Sequence, residues 1–421
     1  MANRTTAPLQ TTIVKTAIKT LLLAALFGAS ASTVAAADSV TSKTYKKLTA
    51  AQEMMGGGDV TQAIADLKTL ADEVAGDTLD AALTLQMLGY AQMANEQFPE
   101  AIKNLKASLA IDRLPEKVKY NVGYMVAQLH AAQGEFDEAL AFAADWFDTL
   151  EAPTPDQLMF MANIYAQTKR YAEAIPYAER AVVAVDKPNA SWYQLLTAAN
   201  FELRRYKDAA RTLRRMVEHW PDNSSYWEQL ASVHVVQEQE RTALAVLRLA
   251  WLNGVLEKES SIKSMVQLAA SRGMPEHAAR LLEEAFDDQL LPRNKDYVEM
   301  LASAWMAARE QDEAIAALRE LAELQGTGEP MLRVANLQVE RGEWGAAEAA
   351  LEDALQRGLE SPGKAWLLLG IARSEQERFE DAFAALRKAR SFDVTRRQAT
   401  RWLSYAEDMR KQAQWQARYG S

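Results

Sequence analysis

Cysteine is absent from the 421 residues of this chain, and histidine occurs only four times. Without cysteine there is no disulfide, no thiolate metal ligand and no thiol nucleophile. A chain without thiols also suits an oxidising compartment, where stray cysteines would pair. The histidines show neither an H-E-x-x-H motif nor pairing at metal-ligand spacing, and they are His130, His219, His234 and His277. We therefore expect no metal, no cofactor, no small-molecule substrate and no enzymatic activity.

Proline and glycine are scarce, at 12 and 18 residues. With 49% hydrophobic and 25% charged residues, the chain is too apolar for a disordered protein. The only glycine cluster is Gly56-Gly57-Gly58, followed by Asp59. This cluster lacks the Lys-Ser/Thr ending of a phosphate-binding P-loop, and no strand pattern precedes it. It therefore predicts a tight turn between two helices.

Positive charge is also in short supply, since 47 Lys and Arg face 57 Asp and Glu, for a net charge of −10. From Arg387 onward the balance reverses, with nine basic and three acidic residues. The acidic body would repel the phosphates of a nucleic acid over most of its surface. We therefore expect basic or neutral partners and no nucleic acid.

An internal repeat organises the chain. The residue four positions after its marker alanine is leucine in eight of ten units, and the residue twelve positions before it is small in nine. The markers recur every 33 to 38 residues, at Ala63, Ala101, Ala139, Ala174, Ala209, Ala243, Ala278, Ala314, Ala347 and Ala382. An aromatic residue precedes six markers by three positions, at Phe98, Phe136, Tyr171, Tyr206, Trp344 and Phe379. This period and pattern predict two packed helices per unit.

Three segments carry a family resemblance: Leu88 to Leu105, Ser191 to Asn223 and Ala365 to Ala389. They resemble tetratricopeptide repeats, and the likeness extends over roughly residues 44 to 394. The resemblance implies an all-α, right-handed α-solenoid of about ten helical hairpins. We expect the solenoid to span residues 38–394 and a basic C-terminal capping helix to span residues 395–421, because a terminal repeat needs a polar cover.

The N-terminus has the pattern of a secretory signal peptide. Three basic residues precede the apolar run Leu21 to Phe27, and Ala35-Ala36-Ala37 offers a cleavage site before Asp38. The run is far shorter than the roughly 20 residues that a spanning helix needs. We expect residues 1–37 to be removed and the mature chain to be periplasmic, with at most peripheral membrane association.

The first helix of each unit carries the predicted partner-binding residues. Eleven positions before each marker lies a row, here called the inner row, with eight polar residues and no charged one: Gln52, Tyr90, Gln128, Asn163, Ala198, Ser232, Gln267, Ser303, Asn336 and Ile371. Its amides could satisfy the backbone of an extended peptide, because an amide both donates and accepts. A solvated helix face is the alternative interpretation. Fifteen positions before the markers lies a second row, which includes Gln86, Tyr124, Met159, Gln194 and Lys263.

The second row suggests a further possibility. Tyr90, Met93, Tyr124 and Met159 could form an adaptable apolar patch for a peptide, or could pack against the next unit. The predicted binding residues from both rows are Gln52, Gln86, Tyr90, Tyr124, Gln128, Met159, Asn163, Gln194, Gln267 and Asn336.

The basic stretch after Val394 predicts an amphipathic helix that covers the last hairpin. An alternative is contact with anionic lipid or an acidic partner, because basic residues with tryptophans suit that boundary. The residues concerned are Arg396, Arg397, Arg401, Trp402 and Trp415.

The overall layout, together with the segment Tyr120 to Phe147, is similar to periplasmic tetratricopeptide proteins associated with TonB–ExbB–ExbD systems of gammaproteobacteria. This resemblance implies a non-enzymatic scaffold in TonB-dependent uptake, with TonB, ExbD or an outer-membrane receptor as partner. Two alternatives are a coordinator of cell-wall synthesis or outer-membrane constriction, and an accessory subunit of an envelope enzyme. The enzyme alternative predicts buried acids in a cleft, for example Asp145, Asp148 and Glu151.

Overall fold

The computed structural model describes residues 39–419, and within that range it contains 21 helices and no strand. The chain divides into two compact units, each made of several hairpins. The first compact unit contains α1 (Ser42–Gly57), α2 (Val60–Glu73), α3 (Leu79–Ala94), α4 (Phe98–Ala110), α5 (Glu116–Gln133), α6 (Phe136–Phe147), α7 (Pro155–Gln167), α8 (Tyr171–Val183) and α9 (Ala190–Glu202). The second contains α11 (Ser224–Val236), α12 (Glu240–Leu252), α13 (Glu259–Ser271), α14 (Pro275–Asp287), α15 (Lys295–Ala308), α16 (Gln311–Gln325), α17 (Glu329–Glu340), α18 (Trp344–Arg357), α19 (Gly363–Glu375), α20 (Phe379–Arg390) and α21 (Arg396–Tyr419).

The two compact units divide between Thr212 and Leu213, inside α10 (Tyr206–His219). Within the units, neighbouring odd-numbered and even-numbered helices pair into nine hairpins, from α1–α2 to α7–α8 and from α11–α12 to α19–α20, and α21 follows alone. The predicted all-α repeat architecture with a final capping helix is confirmed. The predicted signal peptide, residues 1–37, lies outside the described residues. In the range 39–419, no helix combines the length and the apolar character needed to cross a membrane.

The turn within each hairpin follows a common geometry. In the first hairpin Gly58 has a left-handed φ of 91°, and the N–H of Asp59 donates to the carbonyl of Met54 at 2.9 Å. In the third hairpin Gly134 has a φ of 81°, and the N–H of Glu135 donates to the carbonyl of His130 at 2.9 Å. This is the usual way in which a left-handed residue closes a helix C-terminus. Gly56 and Gly57 therefore end α1, and Gly58 forms the turn that the sequence predicted.

The repeat markers form the core of the hairpins. All ten marker alanines have 0% exposed surface, and the residues four positions later are at most 4% exposed. These two positions lie one turn apart on the same face of the second helix. The small residues twelve positions before the markers are buried in every hairpin, which allows the backbones of the paired helices to approach closely.

Two glycines show how close that approach is. A Cβ built on Gly89 would lie 2.6 Å from Cγ of Leu105, and one built on Gly370 would lie 2.5 Å from Cγ of Leu386. Carbon atoms in contact normally stand 3.5–4.0 Å apart. Glycine at these positions is therefore required by the leucine of the facing helix.

The last helix, α21, packs on α20 and α19. Ala399 and Ala406 of α21 are fully buried against Phe383 and Leu386, and Trp402 packs at the margin of this cluster. Burying these apolar groups supplies the cover that the last hairpin needs.

Candidate partner-binding surface

The inner row lies at the surface in both units. In the first unit Gln52, Tyr90 and Gln128 are half-buried, and Asn163 and Ala198 are exposed. In the second unit Asn336 and Ile371 are half-buried, and the exposed members are Ser232, Gln267 and Ser303. The preceding residue on each helix is buried in every case. Each hairpin therefore turns its inner-row side chain away from the core.

The polar groups of this row are partly engaged by their own helix. Nδ2 of Asn163 donates to the carbonyl of Met159 at 2.8 Å, and Nδ2 of Asn336 donates to that of Leu332 at 2.6 Å. An amide nitrogen has a second N–H, and the amide oxygen is an additional acceptor. Each asparagine therefore keeps one donor and its acceptor for another molecule while its rotamer is held by the first bond.

Two tyrosines of the first unit are paired with glutamines one turn away. Nε2 of Gln86 donates to the hydroxyl of Tyr90 at 3.1 Å. Burial raises the pKa of Tyr90, and it raises the pKa of Tyr124 to about 12, with the hydrogen bond to Gln128 acting in the opposite direction. Both phenols are therefore neutral at physiological pH and can act as hydrogen-bond donors.

The second row is placed differently from the prediction. Gln86 and Met159 are only 6% and 4% exposed, and Met93 is 4% exposed. Buried side chains cannot contact a partner without rearrangement, so the predicted adaptable patch is not open at the surface. The alternative interpretation, in which they pack between neighbouring hairpins, describes these residues. Gln194 and Lys263 are exposed, and Tyr124 is half-buried.

An aromatic cluster joins two hairpins of the first unit. The ring of Tyr124 stacks on Trp146 at a centroid distance of 3.8 Å, and Phe160 meets Tyr124 edge-on at 5.1 Å. Phe147 in turn meets Tyr177 edge-on at 5.1 Å. These rings come from α5, α6, α7 and α8, so they tie two hairpins together. Such pairs favour a fixed geometry, and Gln128 and Asn163 stand on the helices that they hold.

Ion pairs flank the inner row in the second unit. Nζ of Lys258 lies 3.0 Å from Oε2 of Glu228, and Oγ of Ser261 donates to Oε1 of the same carboxylate at 2.8 Å. Arg333 lies 2.7 Å from Oε1 of Glu299. These bonds link successive first helices, so the charges beside the row are already partnered.

An apolar row that was not predicted from the sequence runs beside the inner row. The residue three positions after the inner row is apolar on nine of the ten first helices: these are Met55, Met93, Ala131, Ala166 and Phe201 in the first unit and Val235, Ala270, Met306 and Val339 in the second. Phe201, Val235 and Met306 are 44%, 42% and 36% exposed, which is unusual for large apolar side chains. Residues three apart share a helix face, so the spacing itself could have revealed this row.

The remaining predicted residues do not assemble a catalytic site. Asp145, Asp148 and Glu151 are all exposed, so the burial that the enzyme alternative requires is missing there. His130 and His234 are buried, with Nδ1 at 2.6 Å from Oε2 of Glu135 and at 2.8 Å from Oε1 of Gln239, respectively. Across residues 39–419, no three His, Cys, Asp or Glu side chains are grouped as metal ligands would be.

Family models match parts of this chain. Two models described as tetratricopeptide repeat cover residues 264–329 and 332–394, and residues 158–182. These segments coincide with the hairpin of α7 and α8 and with the helices from α13 to α20. The matched segments of this chain are tetratricopeptide repeats (TPRs). A search of curated proteins found no significant match.

The solved structures to which this chain is similar are distant in sequence. A tetratricopeptide repeat protein from Parabacteroides merdae is 16% identical, with 62% of this chain and 99% of that chain covered and a TM-score of 0.35. YrrB, a TPR protein with an unusual peptide-binding site, is 18% identical over 46% of this chain and 98% of its own, with a TM-score of 0.33. The complex of the TPR2AB domain of yeast Sti1 with pHSP90 is 13% identical over 60% and 98%, with a TM-score of 0.30.

Proposed function

We propose that this protein is a non-enzymatic scaffold that binds partner proteins as extended peptide segments along the inner row. One observation supports this above all others. The residues of the inner row are exposed or half-buried on all ten first helices, although the residue before each of them is buried. The first helices therefore present a surface of uncharged polar groups at regular intervals.

The chemistry of the row suits a peptide backbone. An extended peptide exposes alternating N–H and C=O groups, and amide side chains can satisfy both kinds. Asn163 and Asn336 are each held by one hydrogen bond to their own helix. Holding them in advance reduces the rotamer entropy lost on binding.

The apolar row suggests what side chains the partner carries. Val235 and Met306 are partly exposed one turn after Ser232 and Ser303. Methionine adapts its shape readily to apolar groups. In the second unit we therefore infer a partner segment that offers apolar side chains toward this row and its backbone toward the inner row.

The finer proposal concerns place and partner. We propose that the protein is exported, cleaved near Ala37 and Asp38, and acts in the periplasm as an accessory of TonB-dependent uptake, with TonB, ExbD or an outer-membrane receptor as partner. The signal-peptide pattern of residues 1–37 and the resemblance of the repeats support it. N-terminal sequencing of the protein from a periplasmic extract is expected to begin at Asp38. An N-terminus at Met1 in the cytoplasmic fraction would contradict export.

Cross-linking in cells tests the binding surface. A photoreactive residue at Gln128, Asn163 or Asn336 is expected to capture a partner, identified by mass spectrometry. Matched controls carry the same residue at Ala141 or Ala316, which are exposed alanines on second helices. Capture of TonB, ExbD or a receptor from the inner row alone supports the proposal.

Other outcomes separate the alternatives. Capture of a peptidoglycan synthase from the inner row would support the scaffold and replace the uptake role with cell-wall coordination. Equal capture from the inner row and from both control positions would show that binding does not depend on this surface. No capture from any of the three inner-row positions would identify the row as a solvated helix face.

A further inference from the structure

The end of the second unit concentrates positive charge. Residues 213–386 carry 18 Lys and Arg against 30 Asp and Glu, whereas the segment 387–401 carries six basic residues and one acid. The six basic residues, all exposed, are here called the basic end: Arg387, Lys388, Arg390, Arg396, Arg397 and Arg401. The acid, Asp393, forms an ion pair with Arg396.

The basic end is assembled from two helix ends that meet at a tight loop. Arg390 closes α20 and Arg396 opens α21. The loop between them is fixed, because Oγ1 of Thr395 donates to the carbonyl of Ala389 at 2.7 Å and the N–H of Arg396 donates to that of Phe392 at 2.9 Å. The charges on both helices therefore occupy a defined place.

The loop is also anchored to α19. A Cβ built on Gly363 would lie 2.9 Å from Cβ of Phe392 and 2.9 Å from Oγ1 of Thr395. Because the side chains of Phe392 and Thr395 face this helix, Val394 between them projects outward. Val394 is 86% exposed, the highest value among the large apolar side chains that the structure describes.

Helix stability accounts for only half of these charges. Arg387, Lys388 and Arg390 lie at the C-terminus of α20, where the helix dipole favours cations. Arg396 and Arg397 lie in the first turn of α21, where the dipole disfavours cations, and that turn contains no acidic residue. Arg396 is partnered by Asp393, so it is Arg397 that calls for an explanation outside the fold.

We propose that the basic end is a peripheral membrane-contact site for anionic lipid headgroups, with Val394 entering the interfacial region. An apolar tip between cations suits a lipid surface, which offers phosphates around an apolar interior. A purely acidic peptide would offer no apolar group for Val394. The negative charge of residues 213–386 would be repelled by the same surface, so this end of the unit is the part that approaches it.

The contact differs from the one predicted from sequence. Trp402 is half-buried beside Phe383 and Leu386 and packs on Tyr405 at 5.2 Å, so it belongs to the cover of the last hairpin. Trp415 is 61% exposed but lies 14 residues beyond Arg401 on the same helix, about 21 Å along its axis. The residues that form the proposed site together with the arginines of α21 are instead the basic residues of α20. This site is independent of partner binding along the inner row.

Vesicle binding tests the site. Protein that lacks residues 1–37 and contains all 21 helices is mixed with phosphatidylcholine vesicles that contain either no or 30% phosphatidylglycerol, and binding is measured by co-sedimentation. We expect binding to the anionic vesicles only, with weakening at high salt. A cation near an anionic surface contributes about fivefold in affinity. The double variant Arg397→Gln/Arg401→Gln is therefore expected to bind roughly 25-fold more weakly.

The control is a double variant with the same charge change elsewhere. Arg204→Gln/Arg205→Gln alters two exposed arginines in the turn before α10, and it is expected to bind as the unaltered protein does. Circular dichroism checks that all variants fold. Equal binding to neutral vesicles, equal loss in both double variants, or full binding by Arg397→Gln/Arg401→Gln would overturn the proposal. Binding of soluble polyglutamate to the basic end, without binding of anionic vesicles, would also overturn the proposal, because the ligand would then be an acidic protein.

Discussion

The close approach of paired helices predicts opposite outcomes for two glycine-to-alanine substitutions. Gly89 and Gly123 both lie inside first helices of the first unit, and both are buried. A Cβ on Gly89 would stand 2.6 and 2.7 Å from Cγ and Cδ2 of Leu105, whereas a Cβ on Gly123 would meet no atom within 4 Å. The two positions thus differ in the space around the added methyl group.

The magnitudes follow from two opposing effects. Alanine in place of glycine inside a helix gains about 0.5–1 kcal/mol. Overpacking a close-packed site costs about 1–3 kcal/mol. We expect Gly123→Ala to raise the free energy of unfolding by about 0.5–1 kcal/mol, because only the first effect operates. We expect Gly89→Ala to lower it by about 1–2 kcal/mol, because the overlap with Leu105 is more than half an ångström.

A double-mutant cycle isolates the contact. Leu105 is 0% exposed, so Leu105→Ala alone is expected to cost about 2–5 kcal/mol. In Gly89→Ala/Leu105→Ala the new methyl group enters the space that the leucine leaves. We therefore expect the double variant to lose at least about 1 kcal/mol less than the sum of the single losses.

Urea unfolding followed by circular dichroism measures these differences, and amide hydrogen exchange locates them in α3 and α4. Additive losses in the cycle would mean that Gly89 and Leu105 do not touch. Stabilisation by Gly89→Ala equal to that by Gly123→Ala would refute the close-approach argument altogether.

Three further predictions concern other contacts. Glu348 is 8% exposed; its burial raises the pKa, but hydrogen bonds from Arg373, Arg378 and Gln376 outweigh that effect and hold it below the usual 4.5. Glu348→Gln is expected to lower the free energy of unfolding by about 2–3 kcal/mol at pH 7. This difference in stability from the unaltered protein should shrink as pH falls below about 4.5, because the carboxylate then gains a proton. Urea unfolding at pH 7 and pH 3.5 checks this, and a stability difference that persists at pH 3.5 would count against it. Ala406→Asp places a charge at a fully buried site of α21 and is expected to cost at least about 2 kcal/mol, with faster hydrogen exchange in α20 and α21, whereas the exposed Ser404→Asp should not accelerate it. Because the pKa of Tyr124 is raised to about 12, Tyr124→Phe should leave the phenol absorbance titration unchanged up to about pH 11, and a loss of amplitude near pH 10 would contradict the burial of that ring.

The periodic features could be predicted because their contacts are local. The marker alanines and the residues four positions later pack within about one hairpin, so the same small-large alternation recurs in each unit. The inner row lies beside this buried stripe at a constant offset on the helix. Its exposure therefore follows from helix geometry alone.

The sequence left two interpretations of the second row open, because part of the environment of this row comes from the next hairpin. Met159 and Tyr124 have the apolar character expected of either a binding patch or a core. For Tyr124 the aromatic cluster with Trp146 and Phe160, whose members come from three different helices, decides for packing. The spacing of residues within one hairpin contains no information about which aromatic rings of the next hairpin contact that residue.

The sequence by itself determined that this protein is a stack of helical hairpins. It also determined where the hairpins turn, which residues form their cores and which row faces outward. Each of these features depends on contacts within one hairpin and on the 3.6-residue period of the helix. Only the tertiary structure decided that Met159 is buried, that an apolar row lies partly open in the second unit, and that the cations of α20 and α21 meet around Val394. These features depend on how one hairpin packs against the next and on a loop anchored to Gly363. Such contacts join residues whose spacing does not repeat, so periodicity leaves them undetermined.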